Sequence, residues 1–373
     1  MTRRTVAVFT GSRAEYGLLR PVLDALESMN ETDLRLIVGG AHLVGDAPTV
    51  AEIHAERSVH AVVEMQGAEA RTRLADAQAV ARGIRGISET LSIIKPDFLL
   101  VLGDRIEVLA AATAASLLGI RIAHVHGGDV ASGVCDESTR HAVTKMSHLH
   151  FPATSQSGAR ILSMGESPEG VFVVGSPAID GIQQIPRMGE RDWDQIGQPQ
   201  FVVLHHPVGD PDDVEAQRMQ QIIAGVSQFG RTLLLFPNLD PGSDGIRTAI
   251  RESDLVSIDH LERAKFIGLL KRIEVLVGNS SAGLIECAAL GRPAVDIGDR
   301  QAGRERPDTA VHLDPLTGPG LQSAFEQAVD LLPGGVDSRF GSGDSGQRIA
   351  QTLATIPLAS IPVRKRWFDL KTR

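Results

Sequence analysis

Two cysteines in 373 residues, Cys135 and Cys287, leave no disulfide framework and no cysteine-built zinc site. An excess of basic charge is missing as well: 37 Lys and Arg stand against 46 Asp and Glu, a formal net charge of −9. A protein that grips nucleic acid by neutralising phosphates needs the opposite balance, so no nucleic-acid partner is expected. A local basic pocket for a diphosphate stays open. No apolar stretch approaches the ~20 residues of a membrane-spanning helix. The run in MTRRTVAVFTG is far too short for a signal peptide. No membrane partner and a reducing, cytoplasmic location are the expectations. No short repeat is visible, and the glycine turn after the first strand, Gly11 to Gly17, is not the GxGxxG of a dinucleotide fingerprint.

What is present is a core-forming composition, 42% hydrophobic and 22% charged, in a chain long enough for two domains of ordinary size. The organising stretch is residues 97–146. An apolar run at 98–102, of the kind that makes a strand buried on both faces, stops at Gly103-Asp104-Arg105. An Ala- and Leu-rich helix closes at Gly119, and a second strand, 120–125, ends in His126-Gly127-Gly128-Asp129. Strand, helix, strand is a βαβ unit. In open α/β sheets ligands sit beyond the carboxyl ends of such strands, where both polar clusters fall.

The next segment, 136–145, reads as a helix with Glu137, Arg140, His141 and Thr144 on one face. Acid, base and imidazole on that face suit a site. A solvated face with an Asp136–Arg140 pair, worth a few tenths of a kcal/mol, is the plain alternative.

Elsewhere the same alternation repeats. A strand at 5–10 runs into Gly11-Ser12-Arg13-Ala14-Glu15-Tyr16-Gly17 and a helix, a place where a helix N-terminus and the Arg13 fork suit an anion. A short strand around Leu36-Ile37-Val38 ends in Gly39-Gly40-Ala41-His42, and 68–94 reads as a helix. After strands at 149–152 and 171–174, Pro177 and the turn-rich 185–199 mark a linker, with the domain boundary between 176 and 198. The second half restarts with strands at 201–204, 232–236, 255–258, 274–277 and 293–297. Their ends carry His205-His206-Pro207, Pro237-Asn238, Gly278-Asn279-Ser280-Ser281-Ala282-Gly283 and Gly298-Asp299-Arg300. Small residues at 278–283, before a helix at 284–290, let backbone N–H groups approach phosphate oxygens; a turn whose serines only cap the helix is the alternative. The pairs His124/His126 and His148/His150 each fall on one strand face, compatible with metal, but the glycines after His126 favour a ligand-approaching turn. No metal and no cofactor are expected.

The fold class is therefore α/β: two Rossmann-like domains, each presenting strand ends to one cleft. The expected division is 1–178 and 179–356, with the tail 357–373 packing back on the first domain.

Taken in order, TGSRAEYGLLRP, GDRIEVLAAA, HVHGGDV with DESTRHAVTKMSHLHF, VFVVGSPAID, LHHP, FPNLDPGS and VGNSSAGLIECAALGRPAVDIGDRQAGR resemble the hydrolysing UDP-N-acetylglucosamine 2-epimerases over residues 5–310. Sister non-hydrolysing epimerases usually carry HxEAG and a Pro-Glu-Glu run, where this chain has His126-Gly127-Gly128 and Cys135-Asp136-Glu137. Ser132 departs from relatives that often carry Glu there. The resemblance implies a glycosyltransferase-B-type fold and a reaction in which a UDP-N-acetylhexosamine and water give UDP and the 2-epimeric free sugar, by elimination of UDP and hydration. It assigns Asp104 and Glu137 as acid–base carboxylates with Asp129 a further one, and His126 and Arg140 as orienting groups. Arg13, His206 and Ser281, with Ser280 and Gly283, would stabilise leaving UDP; Glu286 would take the ribose. Asn238 and Arg304 are further binding candidates, and His42 would reach the sugar. The partner implied is the UDP-sugar, with a homodimer or homotetramer as the assembly. UDP-N-acetylglucosamine and a 2,4-diacetamido-2,4,6-trideoxy analogue both fit, for sialic or legionaminic acid synthesis. A transferase of the same fold, a UDP-sugar sensor and a metal hydrolase are the competing readings.

Overall fold

The computed structural model describes all residues except 1–2, 45–47, 68–71, 132–135, 239, 260, 333 and 370–373; Ser132 and Cys135 therefore lie outside the described residues. Two compact units emerge. The first comprises residues up to Asp129, Asp136–Asp180 and Gly341–Arg373, and the second is built on Gly181–Phe340.

The first unit holds β1 (Arg4–Thr10), β2 (Thr32–Gly39), β3 (Val59–Val63), β4 (Phe98–Leu102), β5 (Arg121–Val125) and β6 (Leu149–Phe151). They pair in parallel in the order β3-β2-β1-β4-β5-β6. Strand alternation splits the sheet into two buried faces. Val6, Val8, Leu36, Val38, Phe98 and Leu100 pack on one side with Leu19, Leu23 and Leu26 of the helix Arg13–Ser28 and with Ile349 and Leu353 of the helix Ser345–Thr355. Ala7, Phe9, Ile37, Leu99 and Val101 pack on the other with the helices Arg73–Ile94 and Ile106–Leu117.

The second unit repeats the plan with β7 (Phe201–Leu204), β8 (Thr232–Leu235), β9 (Val256–Ile258), β10 (Val275–Gly278), β11 (Ala294–Ile297) and β12 (Ala310–Leu313), in the order β12-β11-β10-β7-β8-β9. Read from its other edge this is the order of the first sheet. In each unit the chain leaves its first strand one way and returns to the other side of it, so the switch points lie between β1 and β4 and between β7 and β10.

Several expectations are corrected. The strands β3 and β12 were not anticipated. Residues 171–174 form no regular strand, only a bridge between His150 and Val171. The helix expected at 284–290 is a 3-10 turn, Ser281–Gly283, followed by the single turn Glu286–Ala289. The chain leaves the first unit after Asp180 and rejoins it at Gly341 rather than 357. The helix Ser345–Thr355 belongs to the first unit because Asp180 caps it, accepting the N–H groups of Ser345 (3.0 Å) and Gly346 (2.6 Å).

Beyond that helix the tail runs across the first unit as a strap. Arg4 donates to the carbonyls of Leu353 and Ile356, and Arg121 to those of Leu358 and Ile361. His148 lies 3.0 Å from the Val363 carbonyl. Lys365 reaches the Lys145 carbonyl (2.6 Å), at the end of the helix Asp136–Met146. The strap finishes on Glu166, which meets Lys365 at 2.7 Å, Lys145 at 2.5 Å and His150 at 3.2 Å. Burial would raise the Glu166 pKa, but hydrogen bonds from His150, Lys145 and Lys365 outweigh it and hold the carboxyl at about 2 against an ordinary 4.5. The ionised carboxyl thus stabilises the folded state above pH 4.5, and that contribution is lost as pH falls from 4.5 toward 2. Glu166→Gln is expected to lower the melting temperature at neutral pH, with a deficit that shrinks through this window. A deficit unchanged at about pH 3 in a thermal-melt series would count against the assignment.

Candidate functional site

In the first unit the strand ends are built around buried polar groups. Ser12 caps the helix Arg13–Ser28, its side chain accepting from Glu15 N–H. Arg13 is thus the first residue of that helix, earlier than the sequence suggested. Glu15 turns back to accept the Gly11 N–H at 2.7 Å and is 5% exposed. Glu107, fully buried, lies beside Gly11 and Gly40, accepting from Gln66 at 2.6 Å and Arg105 at 3.3 Å. Burial first, and the charge of Glu107 second, push the Glu15 carboxyl up to about 8.

His42 is a correction. It is fully buried, with Nε2 3.0 Å from Thr10 Oγ1 and Nδ1 2.6 Å from Thr49 Oγ1, so both ring nitrogens are used inside the unit and neither is left for a sugar. Burial, with Arg13 and Arg105 nearby, lowers it to about 4.

The switch-point side carries the main cluster. Arg140, 3% exposed, contacts Asp104, meets Glu137 at 3.0 Å and donates to the Asp129 carbonyl at 3.2 Å. His141 reaches Glu137 at 3.0 Å. The helical face read from spacing is therefore the face that meets the strand ends, not a solvated one. His126 adopts a left-handed φ of 65° and places Nδ1 3.2 Å from Asp129 Oδ2. Asp104, Glu137, Arg140, Asp129 and His126 are thus one connected set. Gly128, at φ 77°, permits it: a Cβ there would fall 2.3 Å from the Ser157 carbonyl oxygen.

The histidine pairs are otherwise engaged. His124 donates Nε2–H to the Gly103 carbonyl at 2.7 Å, and burial lowers it to about 3. His148 accepts the Ile122 N–H at 3.1 Å, and His150 sits against Glu166.

In the second unit Asn279 is the organiser that sequence reading missed. It is 1% exposed, accepts the His206 N–H at 2.7 Å and donates to the His206 carbonyl at 2.8 Å. Its own carbonyl accepts from Arg300 (3.2 Å) and Gln301 (2.9 Å), and Arg304 holds Gln301 at 2.8 Å. His206 Nδ1 accepts the Asn238 N–H at 3.3 Å, and the Asn238 amide donates to Asp240. His206, Asn238 and Arg304 are thereby brought together beside Ser280. The signal for Asn279 was an amide directly after a strand-end glycine.

Ser280 caps the short turn through the Ala282 N–H, and Ser281 begins it. Gly283 packs toward Ala294 and Leu276, where a Cβ would fall 3.2 Å from the Ala294 Cβ. A single-turn helix also lacks the aligned dipole expected after it. Glu286 is 6% exposed and pairs with Arg263 at 3.4 Å. Gly278, at φ 138°, lies against Leu204, whose carbonyl oxygen would be 2.1 Å from a Cβ.

Two sheets of identical order, each with its polar cluster at the carboxyl ends, define a glycosyltransferase-B-like fold. The solved UDP-N-acetylglucosamine 2-epimerase of Methanocaldococcus jannaschii, in complex with UDP-GlcNAc and UDP, superposes with a TM-score of 0.80 at 20% identity, over 94% of this chain and 99% of that one. The Neisseria meningitidis enzyme bound to UDP-GlcNAc gives 0.77 at 18% identity, over 94% and 99%. A model of the UDP-N-acetylglucosamine 2-epimerase family matches residues 24–354, and the chain belongs to that family. It is an enzyme with UDP-sugar 2-epimerase activity. The hydrolysing UDP-N,N'-diacetylbacillosamine 2-epimerase of Legionella pneumophila is 36% identical over 372 residues, covering 96% of this chain and 97% of the relative. The polysialic acid biosynthesis protein P7 of Escherichia coli is 30% identical, covering 83% and 82%.

Two outcomes test this geometry. Between pH 4.5 and 8 the unfolded chain has lost the Glu15 proton while the folded chain keeps it, so stability falls as pH rises. Glu15→Gln is expected to flatten that fall in denaturant titrations, and an unchanged slope would show that the buried carboxyl is not neutral. Arg140→Ala strands Asp104 and Glu137 beside a buried gap and is expected to cost about 3 kcal/mol or more in the same assay. A loss under about 0.5 kcal/mol, the size of an exposed pair, would place Arg140 in solvent.

Proposed function

We propose that this enzyme is a hydrolysing 2-epimerase: a UDP-N-acetylhexosamine and water give UDP and the free sugar inverted at C2. The observation that carries the reading is the Asp104–Arg140–Glu137 cluster, two carboxylates oriented by one buried guanidinium. The similarity to the hydrolysing Legionella enzyme supports it.

The C2–H bond is weakly acidic, so its removal needs a carboxylate in reach and held in orientation. One of Asp104 and Glu137 takes that proton as the C1–O bond to UDP breaks, leaving a C1–C2 double bond. Water then adds its oxygen to C1, the second group, in its carboxylic acid form, delivers a proton to the opposite face of C2, and the proton released by the water restores that acid. Asp129, oriented by His126, is the further carboxylate of the set. The departing diphosphate needs N–H donors and positive charge. Arg13, His206, Ser280, Ser281 and Arg304 are the groups for it, with Glu286 for the ribose and Asn238 beside them.

The substrate favoured is the 2,4-diacetamido-2,4,6-trideoxy sugar carried by UDP, the class on which the Legionella relative is named as acting. The product then enters legionaminic-type acid synthesis. UDP-N-acetylglucosamine, the sialic acid precursor, is the comparison substrate.

A proton NMR time course in D2O with each substrate tests both statements. UDP release together with a C2-deuterated manno-type sugar is expected, faster from the diacetamido substrate. UDP release without C2 deuteration would sink the elimination, and interconversion of UDP-sugars without free sugar would make the enzyme non-hydrolysing. Asp104→Asn and Glu137→Gln should each lower kcat by about 10²–10⁴-fold.

A further inference from the structure

Ser176, within VFVVGSPAID, and Ser157 were given no role by the functional reading, yet they close a buried hydrogen-bond chain. Ser176 is fully buried, and its Oγ lies 2.8 Å from His126 Nε2 and 3.2 Å from the Ala178 N–H that it accepts. His126 Nδ1 lies 3.2 Å from Asp129 Oδ2. The other carboxylate oxygen, Oδ1, accepts the Ser157 hydroxyl at 2.7 Å. Ser157 is in turn anchored by Thr154, whose hydroxyl donates to it at 3.1 Å and accepts its N–H at 3.1 Å.

The protons in this chain can be assigned by counting. A carboxylate only accepts, so His126 Nδ1 must be the donor to Asp129. A neutral imidazole has one N–H, which leaves Nε2 as an acceptor. The hydroxyl of Ser176 has one proton and already accepts from Ala178, so its proton points to Nε2. In any other arrangement the Ser176 O–H would sit fully buried without an acceptor, at the usual cost of an unmade bond.

We propose that Ser176 is a positioning residue: by donating to Nε2 its hydroxyl anchors the His126 ring, whose Nδ1–H, with Ser157, holds the Asp129 carboxylate in one orientation. The role of Asp129 in acid–base chemistry rests on the function proposed above; the tautomer does not. Two features support a device rather than incidental packing. His126 keeps a left-handed φ of 65°, which a non-glycine residue adopts at a cost, so its ring is placed by the strained turn and by both bonds together. The ring is also 8% exposed with both nitrogens committed, so it acts through Asp129 and not on a ligand.

The test separates the two layers. Long-range 1H–15N spectra of histidine-labelled protein, with His126 assigned by its absence in His126→Gln, should show the Nδ1–H form in the wild type. Ser176→Ala leaves Asp129 accepting from Nδ1, so it should keep Nδ1–H but move the Nε2 nitrogen resonance downfield, as for an acceptor that has lost its hydrogen bond, and Ser176→Thr, which keeps a hydroxyl, should hold that resonance in place. With the UDP-sugar substrate, Ser176→Ala should lower kcat by about tenfold at nearly constant KM, a fraction of what acid–base placement contributes. Ser176→Thr should restore it. An Nε2–H ring in the wild type, or an unchanged Nε2 resonance in Ser176→Ala, would overturn the hydrogen-bond assignment whatever the reaction is. A shifted Nε2 resonance with unchanged kcat would overturn the positioning role while leaving the epimerase reading standing.

Discussion

A guanidinium taken out of water costs several kcal/mol unless its N–H groups find acceptors and its charge finds partners. Arg140 meets that requirement with Asp104, Glu137 and the Asp129 carbonyl, groups from the end of β4, from its own helix and from the loop after β5. The first unit depends on this bargain. Asp104 follows a left-handed glycine, Gly103, whose carbonyl is held by His124, so the carboxylate arrives from a fixed backbone. The helix Asp136–Met146 presents Glu137 and Arg140 one turn apart, and the strap from the tail grips its last turn through Lys145 and Lys365. Three separate stretches are thereby committed to one cation.

The second unit solves the same geometric problem with an amide. Asn279 bonds both backbone groups of His206, sewing the ends of β10 and β7 together at their switch point. Its carbonyl gathers Arg300 and Gln301 from beyond β11. Only a residue without a side chain can precede it, because Gly278 lies against the Leu204 carbonyl. An amide can donate and accept at once, which suits joining two backbone segments; a guanidinium only donates, which suits gathering carboxylates. The two units thus share a topology and differ in the chemistry their strand ends display.

This difference marks what was legible in the sequence. Central strands such as β4 and β7 were readable because burial on both faces writes a continuous apolar run. β3 and β12 were not: they are short, partly exposed edge strands without a continuous apolar run, although the valines of VHAVV suit a strand. The face of Glu137, Arg140 and Thr144 followed from helical spacing alone. His42 misled because a histidine at a strand end looks the same whether it faces a ligand or bridges two threonines. Ser176 and Asn279 act on partners 50 and 73 residues away, and no local pattern encodes such a contact.

The buried histidines show where the charge of the first unit is allowed to reside. His42 and His124 are pulled to about 4 and 3, chiefly by burial, so near neutral pH they serve as dipolar struts between threonine hydroxyls and a glycine carbonyl. The fully buried His205 of the second unit is driven down in the same way. A histidine held neutral in this manner cannot supply the acid for a reaction near pH 7 without first regaining a proton that burial disfavours. Glu15, pushed up to about 8, is neutral as well and adds no negative charge under Arg13. Burial thus removes four groups that the sequence offers as charged, three of them in the first unit. In the function proposed above, the proton transfers fall to Asp104, Glu137 and Asp129, the carboxylates gathered around Arg140 and His126. A substitution that lets water reach His124 would therefore do more than loosen the core: it would place a titrating cation one residue from the Asp104 loop, in competition with Arg140 for the same carboxylate.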